Sequence, residues 1–276
     1  MLVVAVVLAA ALLHAVWNAV AHAVPDRRAG FLLLNVAVAV VAIPFLPFVG
    51  LPAAAAWPFL LGSVGMHAAY NLLLLRSYQL GDFSQTYPLA RGTAPLVVAV
   101  VGVTVVGQSL DAREVAGVLA ISAGLLVLVL GRGSLRAGRP AVLAALTTGL
   151  AIATYTVLDG VGVRHAAGTL AYIAWLFALQ GPLIALLVAG RRRHLLERAR
   201  PLLVPGLASG VISLVAYGLV IWAQSQGRLA TVASLREVSI VFGALIGAVV
   251  FHERLGPVRV LGAVIVLLGV VLLAAG

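Results

Sequence analysis

Four ionisable side chains lie inside long apolar stretches of the sequence: Arg91, Arg236, Glu237 and Asp159. A charged side chain at the centre of a bilayer costs about 2.5–3.5 kcal/mol even on the mildest insertion scale. Charges retained in such stretches therefore indicate a site where they do chemistry or recognise a partner.

Arg91 and Arg236 are the strongest candidates for binding an anion. A guanidinium forms a planar fork of donors that matches carboxylate or phosphate oxygens, and it stays charged when water is removed. We expect the two arginines to coordinate an anionic group of a solute. In the alternative interpretation, Glu237 or Asp159 neutralises Arg236 and the group only holds helices together. Glu237 is also a candidate carrier of a coupling proton.

Two short polar and aromatic patterns share one helical spacing. His14, Trp17 and Asn18 stand at positions i, i+3 and i+4, and so lie on one face of a helix. The same spacing recurs in a second set, His67, Tyr70 and Asn71. Both faces are too polar for lipid and should point inward, either to line a cavity or to form interhelical hydrogen bonds.

Tyrosines accompany the candidate arginines. Tyr87 lies four residues before Arg91, and the corresponding part of the second half contains Tyr155 and Tyr217; all three are candidate solute contacts. Aromatic residues near the ends of membrane spans more often anchor the protein at the interface. We expect that role for the remaining set, Trp57, Tyr172 and Trp175.

The composition places these residues in a membrane protein. Of 276 residues, 63% are hydrophobic and 9% charged, against roughly 45–50% and 25% in soluble domains. Cysteine is absent, which excludes thiolate metal sites and disulfides. The net charge of +10 comes from arginines in short loops, so it does not indicate nucleic-acid binding. No metal-site, nucleotide-binding or nucleophile motif is found, and we expect neither an enzyme nor a cofactor.

Ten apolar stretches are long enough to cross a bilayer as helices, which takes about 20 residues. The sequence therefore predicts an all-α integral membrane fold. The predicted spans are 2–23, 29–49, 54–78, 83–106, 113–131, 140–160, 167–190, 201–225, 229–251 and 256–275.

The loops between these spans differ strongly in arginine content. Odd-numbered loops carry thirteen arginines and even-numbered loops carry three. Because positively charged loops stay in the cytoplasm, we expect the odd-numbered loops to be cytoplasmic and both termini to lie outside. The predicted location is the inner (plasma) membrane of the cell.

The sequence also contains an internal repeat. An offset of 145 residues superimposes Arg91 on Arg236, Gly117 on Gly262 and Gly124 on Gly269. Two repeats, 1–136 and 137–276, then have five spans each, and an odd number inverts the second repeat in the membrane. Inverted repeats of this kind build many secondary transporters around a site at the midplane.

The sequence resembles the drug/metabolite transporter superfamily, in its EamA-type branch. The resemblance rests on the plan of five plus five spans and on three blocks: HAVWNA at 14–19, GDFSQTYPLARGTAPL at 81–96, and SLREVSIVFGALIGAVVFHERL at 234–255. It covers nearly the whole chain. It implies a substrate cavity lined by spans one, three, four, six, eight and nine, with spans five and ten at the periphery.

The expected function is secondary transport or export of a small polar or anionic metabolite, such as an amino acid or organic acid, by alternating access. The expected partners are that solute, the lipid bilayer, and a proton or another coupling ion, with the chain acting as a monomer or homodimer. The alternative is a non-transporting or lipid-translocating membrane module that uses the same helical scaffold.

Overall fold

The computed structural model describes residues 1–22, 24, 26–80, 83–130, 138–190, 194–250, 252 and 256–275. Within these ranges all regular structure is helical and no strand is present. By length and hydropathy, seven described segments are able to cross a membrane, and Ala90–Thr104 is a shorter apolar segment. The predicted all-α membrane fold is therefore confirmed.

Ten long helical segments follow the ten predicted spans, the ninth in two pieces. They are α1 (Leu2–His22), α2 (Arg27–Ala42), α3 (Trp57–Leu80), α4 (Phe83–Thr104), α5 (Ala112–Leu130), α6 (Arg139–Arg164), α7 (Thr169–Ala189), α8 (Leu203–Gln226), α9a (Leu229–Arg236), α9b (Ser239–Val250) and α10 (Pro257–Ala274). A 3-10 turn and the short helix Leu46–Val49 extend α2, and the short helix His194–Ala199 precedes α8.

The span predicted over 229–251 is present as Leu229–Val250, but it is not one continuous helix, because the helix breaks between Arg236 and Ser239. The amide of Glu237 donates to the carbonyl of Ser234 at 3.0 Å, and that of Val238 to the carbonyl of Leu235 at 3.2 Å. These bonds reach back three residues instead of four, so the chain tightens locally. No proline causes the break, whereas α4 contains Pro88 and Pro95 and is one helix.

The contacts between helices are symmetric: a contact is found again when each helix is replaced by its counterpart in the other half of the chain. Helix α1 packs on α8, and its counterpart α6 packs on α3. Helix α1 also contacts both pieces of α9, and α6 contacts α4 in the same way. Helices α2 and α7 pack on each other, as do α5 and α10. Each of these contacts therefore has an equivalent in the other half.

Glycines bring α5 and α10 into contact backbone against backbone. A Cβ added at Gly124 would lie 2.8 Å from the carbonyl oxygen of Gly262, and one added at Gly117 would lie 3.0 Å from that of Gly269. The lower-numbered glycine of α5 thus meets the higher-numbered glycine of α10, which means that the helices run antiparallel. The four residues are those that the repeat superimposes, so exchanging the halves reproduces the same contacts.

Helices α5 and α10 lie at the periphery, as the resemblance implied. Large apolar side chains on both helices are exposed on the outer surface: Leu119, Leu126, Leu261, Leu267 and Leu268. In a protein with this hydropathy such a surface faces acyl chains. The polar side chains of the candidate site lie on the other helices.

Candidate functional site

A cavity of about 160 Å³ lies between the two halves of the bundle. That is roughly ten times the space that one water needs on the same measure, and it is enough for a small solute. Ten of the eleven candidate solute contacts line it: His14, Trp17, Asn18, His67, Tyr70, Asn71, Arg91, Tyr155, Tyr217 and Arg236. The side chain of the eleventh, Tyr87, lies outside the described residues.

The cavity wall also includes two helices that sequence reasoning left out. Helix α2 contributes Phe31 and Asn35, and α7 contributes Phe177 and Gln180. Their polar residues stand alone in apolar sequence, so no spacing singled them out. The implied lining by spans one, three, four, six, eight and nine is therefore incomplete, because α2 and α7 close the side between them.

The two candidate arginines meet at one carboxylate. Arg91 Nε donates to Glu237 Oε2 at 2.6 Å, while Arg236 Nε lies 3.6 Å from Glu237 Oε1. The exposed fractions are 2% for Arg91, 3% for Arg236 and 0% for Glu237. Two buried cations therefore share one buried anion. At the repeat offset Glu237 falls on Gly92, so the first half supplies no matching acid.

The guanidinium of Arg91 also contacts residues from two other segments. Its two terminal nitrogens lie 3.2 Å from His14 Nε2 on α1 and 3.2 Å from Ser239 Oγ at the start of α9b. Ser239 was not among the predicted site residues. Its position two residues after Glu237, where the helix restarts, brings it to Arg91, and the sequence does not reveal that break.

His14 is surrounded by donors. Trp17 Nε1 donates to His14 Nδ1 at 3.2 Å, and Arg91 approaches His14 Nε2 at 3.2 Å. A neutral imidazole carries one N–H and accepts only at its other nitrogen, and guanidinium and indole nitrogens only donate. In either tautomer, one of the two contacts therefore brings two N–H donors together.

Three asparagines on the cavity wall form the same local bond. Asn18, Asn35 and Asn71 each donate from Nδ2 to the backbone carbonyl four residues earlier, at 2.7–2.8 Å. Because a carbonyl can only accept, the amide nitrogen must face the helix and the amide oxygen faces away from it. The wall thus adds neutral acceptors to the donors of the arginine cluster.

Asp159 forms a second buried polar centre, away from the arginines. It accepts hydrogen bonds from Tyr172 at 3.0 Å and from Tyr217 at 2.6 Å, and its Oδ2 lies 3.3 Å from His67 Nε2. No arginine in the described ranges forms an ion pair with it, so pairing with Arg236 is not observed. The prediction that Tyr172 is an interfacial anchor is wrong, because this residue has 0% exposure.

Aromatic rings connect the two centres. The His67 ring stacks on Tyr155 with centroids 4.0 Å apart, and the guanidinium carbon of Arg236 lies 5.9 Å from the centroid of the same Tyr155 ring. Tyr217 meets His67 edge-on at 5.2 Å, and Tyr70 meets Tyr155 at 5.7 Å. One side chain, Tyr155, therefore touches both the histidine of one centre and an arginine of the other.

Polar contacts hold the bundle together at the end that carries the even-numbered loops. Arg228, which precedes α9a, pairs with Glu114 of α5, and Glu114 also accepts from Thr231 at 3.2 Å. The hydrogen bond that Arg228 donates to Glu114, together with the negative charge of Glu114, raises the pKa of the Arg228 guanidinium above its ordinary value. The amide of Leu229 donates to Gln108 Oε1 at 3.0 Å. We call these contacts the even-loop seal.

Arg164, at the end of α6, adds a further contact to the even-loop seal. Its guanidinium donates to the carbonyl of Gln224 at 2.9 and 3.1 Å and to the carbonyl of Gly227. By contrast, the cavity-lining segments of α1, α2, α3 and α7 lie between the midplane and the odd-numbered loops. The seal thus lies at the even-loop end of the bundle, and these four lining segments lie toward the odd-loop end.

The histidines and acids do not gather into a metal site. Within the ranges that the structure describes, no group of three or more such side chains is placed to hold an ion. Arginine, tyrosine and asparagine instead dominate the polar part of the cavity wall. These residues suit hydrogen bonding and charge pairing with a solute.

A bundle of long apolar helices with buried ionisable side chains is the architecture of a multi-pass membrane protein. Residues 139–275 match the EamA-like transporter family, and the chain belongs to this family, in the drug/metabolite transporter superfamily. A solved structure described as "Crystal structure of protein" is 18% identical, with a TM-score of 0.73; the match covers 98% of this chain and 94% of that one. No curated protein matches.

Proposed function

We propose that this protein is a secondary transporter of a small polar or anionic metabolite, of the amino acid or organic acid class, which binds at Arg91 and Arg236. The observation that carries the proposal is the sharing of one carboxylate by two buried arginines on the cavity wall. Counting Glu237, this cluster holds one positive charge in excess. An anionic group of the solute would balance it.

The donors around His14 support the same conclusion. In either tautomer of His14, one of its contacts with Arg91 and Trp17 brings two N–H donors together. A carboxylate oxygen between two of these donors would accept from both, and hydrogen bonds to charged groups contribute about 1.5–3 kcal/mol each. An anionic solute would therefore place an acceptor where two N–H donors meet at His14.

The placement of the even-loop seal supports alternating access as the mechanism. If the odd-numbered loops are cytoplasmic, this structure is the state whose cavity lies toward the cytoplasm, while Glu114, Arg228 and Arg164 close the outer side. The break in α9 carries Arg236 and Glu237, and broken helices line the solute sites of many secondary transporters. The exchange of contacts between the halves would allow the opposite state to form by the same kind of packing.

The lipid-translocating alternative receives no comparable support. The second cavity, between α2 and α7, faces outward and is lined by apolar side chains and prolines such as Val36, Val40 and Pro182. A lipid headgroup would need polar partners along its path. In the described residues, those partners line the central cavity instead.

The test is counterflow in proteoliposomes with a panel of radiolabelled L-amino acids and dicarboxylic acids. Wild-type protein should exchange at least one of them. Arg91→Gln and Arg236→Gln should each reduce that rate at least tenfold, because an uncharged side chain cannot balance the carboxylate. Arg113→Gln removes an exposed arginine outside the cavity and should leave the rate unchanged. Full exchange by both cavity variants would remove the arginines from the mechanism.

A further inference from the structure

Asp159 is fully buried, and the neutral tyrosines that donate to it do not balance the charge of its carboxylate. It has 0% exposure, and its three partners come from three other helices: His67 on α3, Tyr172 on α7 and Tyr217 on α8. A carboxylate in a membrane interior needs a compensating charge, since neutral donors replace its hydration only in part. Within the described ranges, His67 is the titratable cationic partner in contact with it.

The arginines do not serve this purpose because both are engaged with Glu237. Glu237 in turn is poorly suited to carry a proton, since protonation would leave two buried guanidinium groups without a counter-charge. The chain therefore has one acid that neutralises arginines and a second acid whose partner can gain or lose a proton. The second pair remains unused by anion binding.

The surroundings of His67 suit an imidazole that takes up a proton. With Nε2 directed at Asp159, the neutral ring carries its hydrogen there, and a proton would add to the lone pair of Nδ1. The resulting imidazolium would pair with Asp159 and lie on the face of Tyr155, an arrangement that attracts cations. His67 lines the cavity, so water in the cavity can supply and remove the proton.

The groups that face this pair come from every helix packed on it. Asp159 and Tyr155 are on α6, Tyr172 on α7 and Tyr217 on α8, while Arg236 of α9a lies beyond the Tyr155 ring. Of these, Arg236 is the cation, and the aromatic ring separates it from His67. An unneutralised carboxylate in direct contact outweighs that more distant repulsion.

We propose that His67 and Asp159 form a proton-binding site that couples proton movement to transport. The idea rests on the proposed function, since coupling needs a transported solute. A proton on His67 adds one positive charge to the wall that holds Arg236, and therefore strengthens the binding of an anion there. Proton and anion would then occupy the cavity together, with coupling in the usual range of about 5- to 150-fold in affinity.

Proton binding itself is tested without any solute. In protein labelled with ¹⁵N-histidine, the His67 resonances, assigned with His67→Gln, should show a doubly protonated ring as the sample is acidified within the pH range in which the protein stays folded. In Asp159→Asn the same ring should stay neutral under the same conditions. The resonances of His165, exposed in the loop after α6, are the reference and should be the same in both proteins. A His67 that does not titrate in wild type, or titrates identically in Asp159→Asn, would overturn the site.

Coupling is tested in proteoliposomes loaded with a pH indicator. Addition of the panel compound that wild type exchanges should change the luminal pH, and this signal should vanish in His67→Gln while the His165→Gln control keeps it. Exchange with no pH change in wild type would overturn the coupling even where the arginine variants are inactive, so the proposed function would stand. If His67 takes up a proton but wild type carries no panel compound, the proton-binding site would stand and the proposed function would be contradicted.

Discussion

Glu237 is the residue on which the charge balance of the cavity depends. It lies between Arg91 and Arg236 with no exposed surface. Truncating one partner of a buried charge network costs about 3–5 kcal/mol, because the remaining charges stay buried and unpaired. The effect of neutralising this residue should therefore be seen in stability as well as in transport.

We predict that Glu237→Gln lowers the melting temperature in detergent by about 5–10 °C, the range that about 3 kcal/mol produces in a protein of this size. Millimolar acetate should raise the melting temperature of the variant more than that of wild type, since its carboxylate can replace the missing one. Glu197→Gln, on an exposed short helix, is the control. An unchanged melting temperature in Glu237→Gln would contradict the shared-carboxylate arrangement.

At the residue scale, the sequence singled out side chains that lie on the cavity wall but did not predict their partners. His14, Asn18, His67 and Asn71 were singled out because polar residues at helical spacing stand out in apolar sequence, and all four line the cavity. Tyr172 was misassigned, since an aromatic residue near a span end looks the same whether it anchors in the interface or bonds an acid. Its partner Asp159 is 13 residues away and on another helix, and packing alone determines that contact.

Among the helices, α9 shows where a local rule fails. Its break has no proline or glycine at the site, so helix propensity gives no reason for it. Arg91 on α4 donates to Glu237, within the break, and to Ser239, where the helix restarts. The tight turn therefore depends on tertiary contacts. By contrast, the bounds of the other spans followed from hydropathy and charge because lipid thickness fixes them.

The even-loop seal links α5 to α9a and is the element-scale feature most open to test. Because Arg228 is half exposed, its pair with Glu114 should contribute about 1 kcal/mol or less. We predict that Glu114→Gln increases labelling of a cysteine at buried Ala233 by about two- to fivefold from the even-loop side. The measurement is the rate of reaction with an impermeant maleimide.

Charge reversal provides the matched control for the seal. The double variant Glu114→Arg, Arg228→Glu should return the labelling rate most of the way to the wild-type value, because the ion pair is rebuilt with opposite polarity. Arg113→Gln, next to Glu114 in sequence and exposed, should have no effect. Equal labelling in wild type and Glu114→Gln would show that this pair does not keep the even-loop end closed.

For the molecule as a whole, the arginine count predicts how it lies in the membrane. The chain has no cysteine, so single introduced cysteines report on one position each. We predict that Ser109→Cys, in an even-numbered loop, reacts with an impermeant maleimide on intact cells. Gly138→Cys, in an odd-numbered loop, should react only after permeabilisation. The reverse pattern would invert the assignment of the two sides.

The overall plan was the part of the structure that sequence predicted most completely. An odd number of spans per half, with Gly117, Gly124, Gly262 and Gly269 in register, predicts antiparallel outer helices, and α5 and α10 meet in that way. The participation of α2 and α7 in the cavity was missed. Their contact with each other follows from the three-dimensional arrangement of the halves. A single polar residue such as Asn35 or Gln180 does not predict that arrangement.

At the repeat offset Glu237 corresponds to Gly92, so the two halves differ in charge at this position. A carrier with identical halves would rest with equal preference on either face of the membrane. Under the alternating access proposed above, the acid would move with its own half, and the inward and outward forms would differ in how closely it holds each arginine. The empty protein would then prefer one of the two forms.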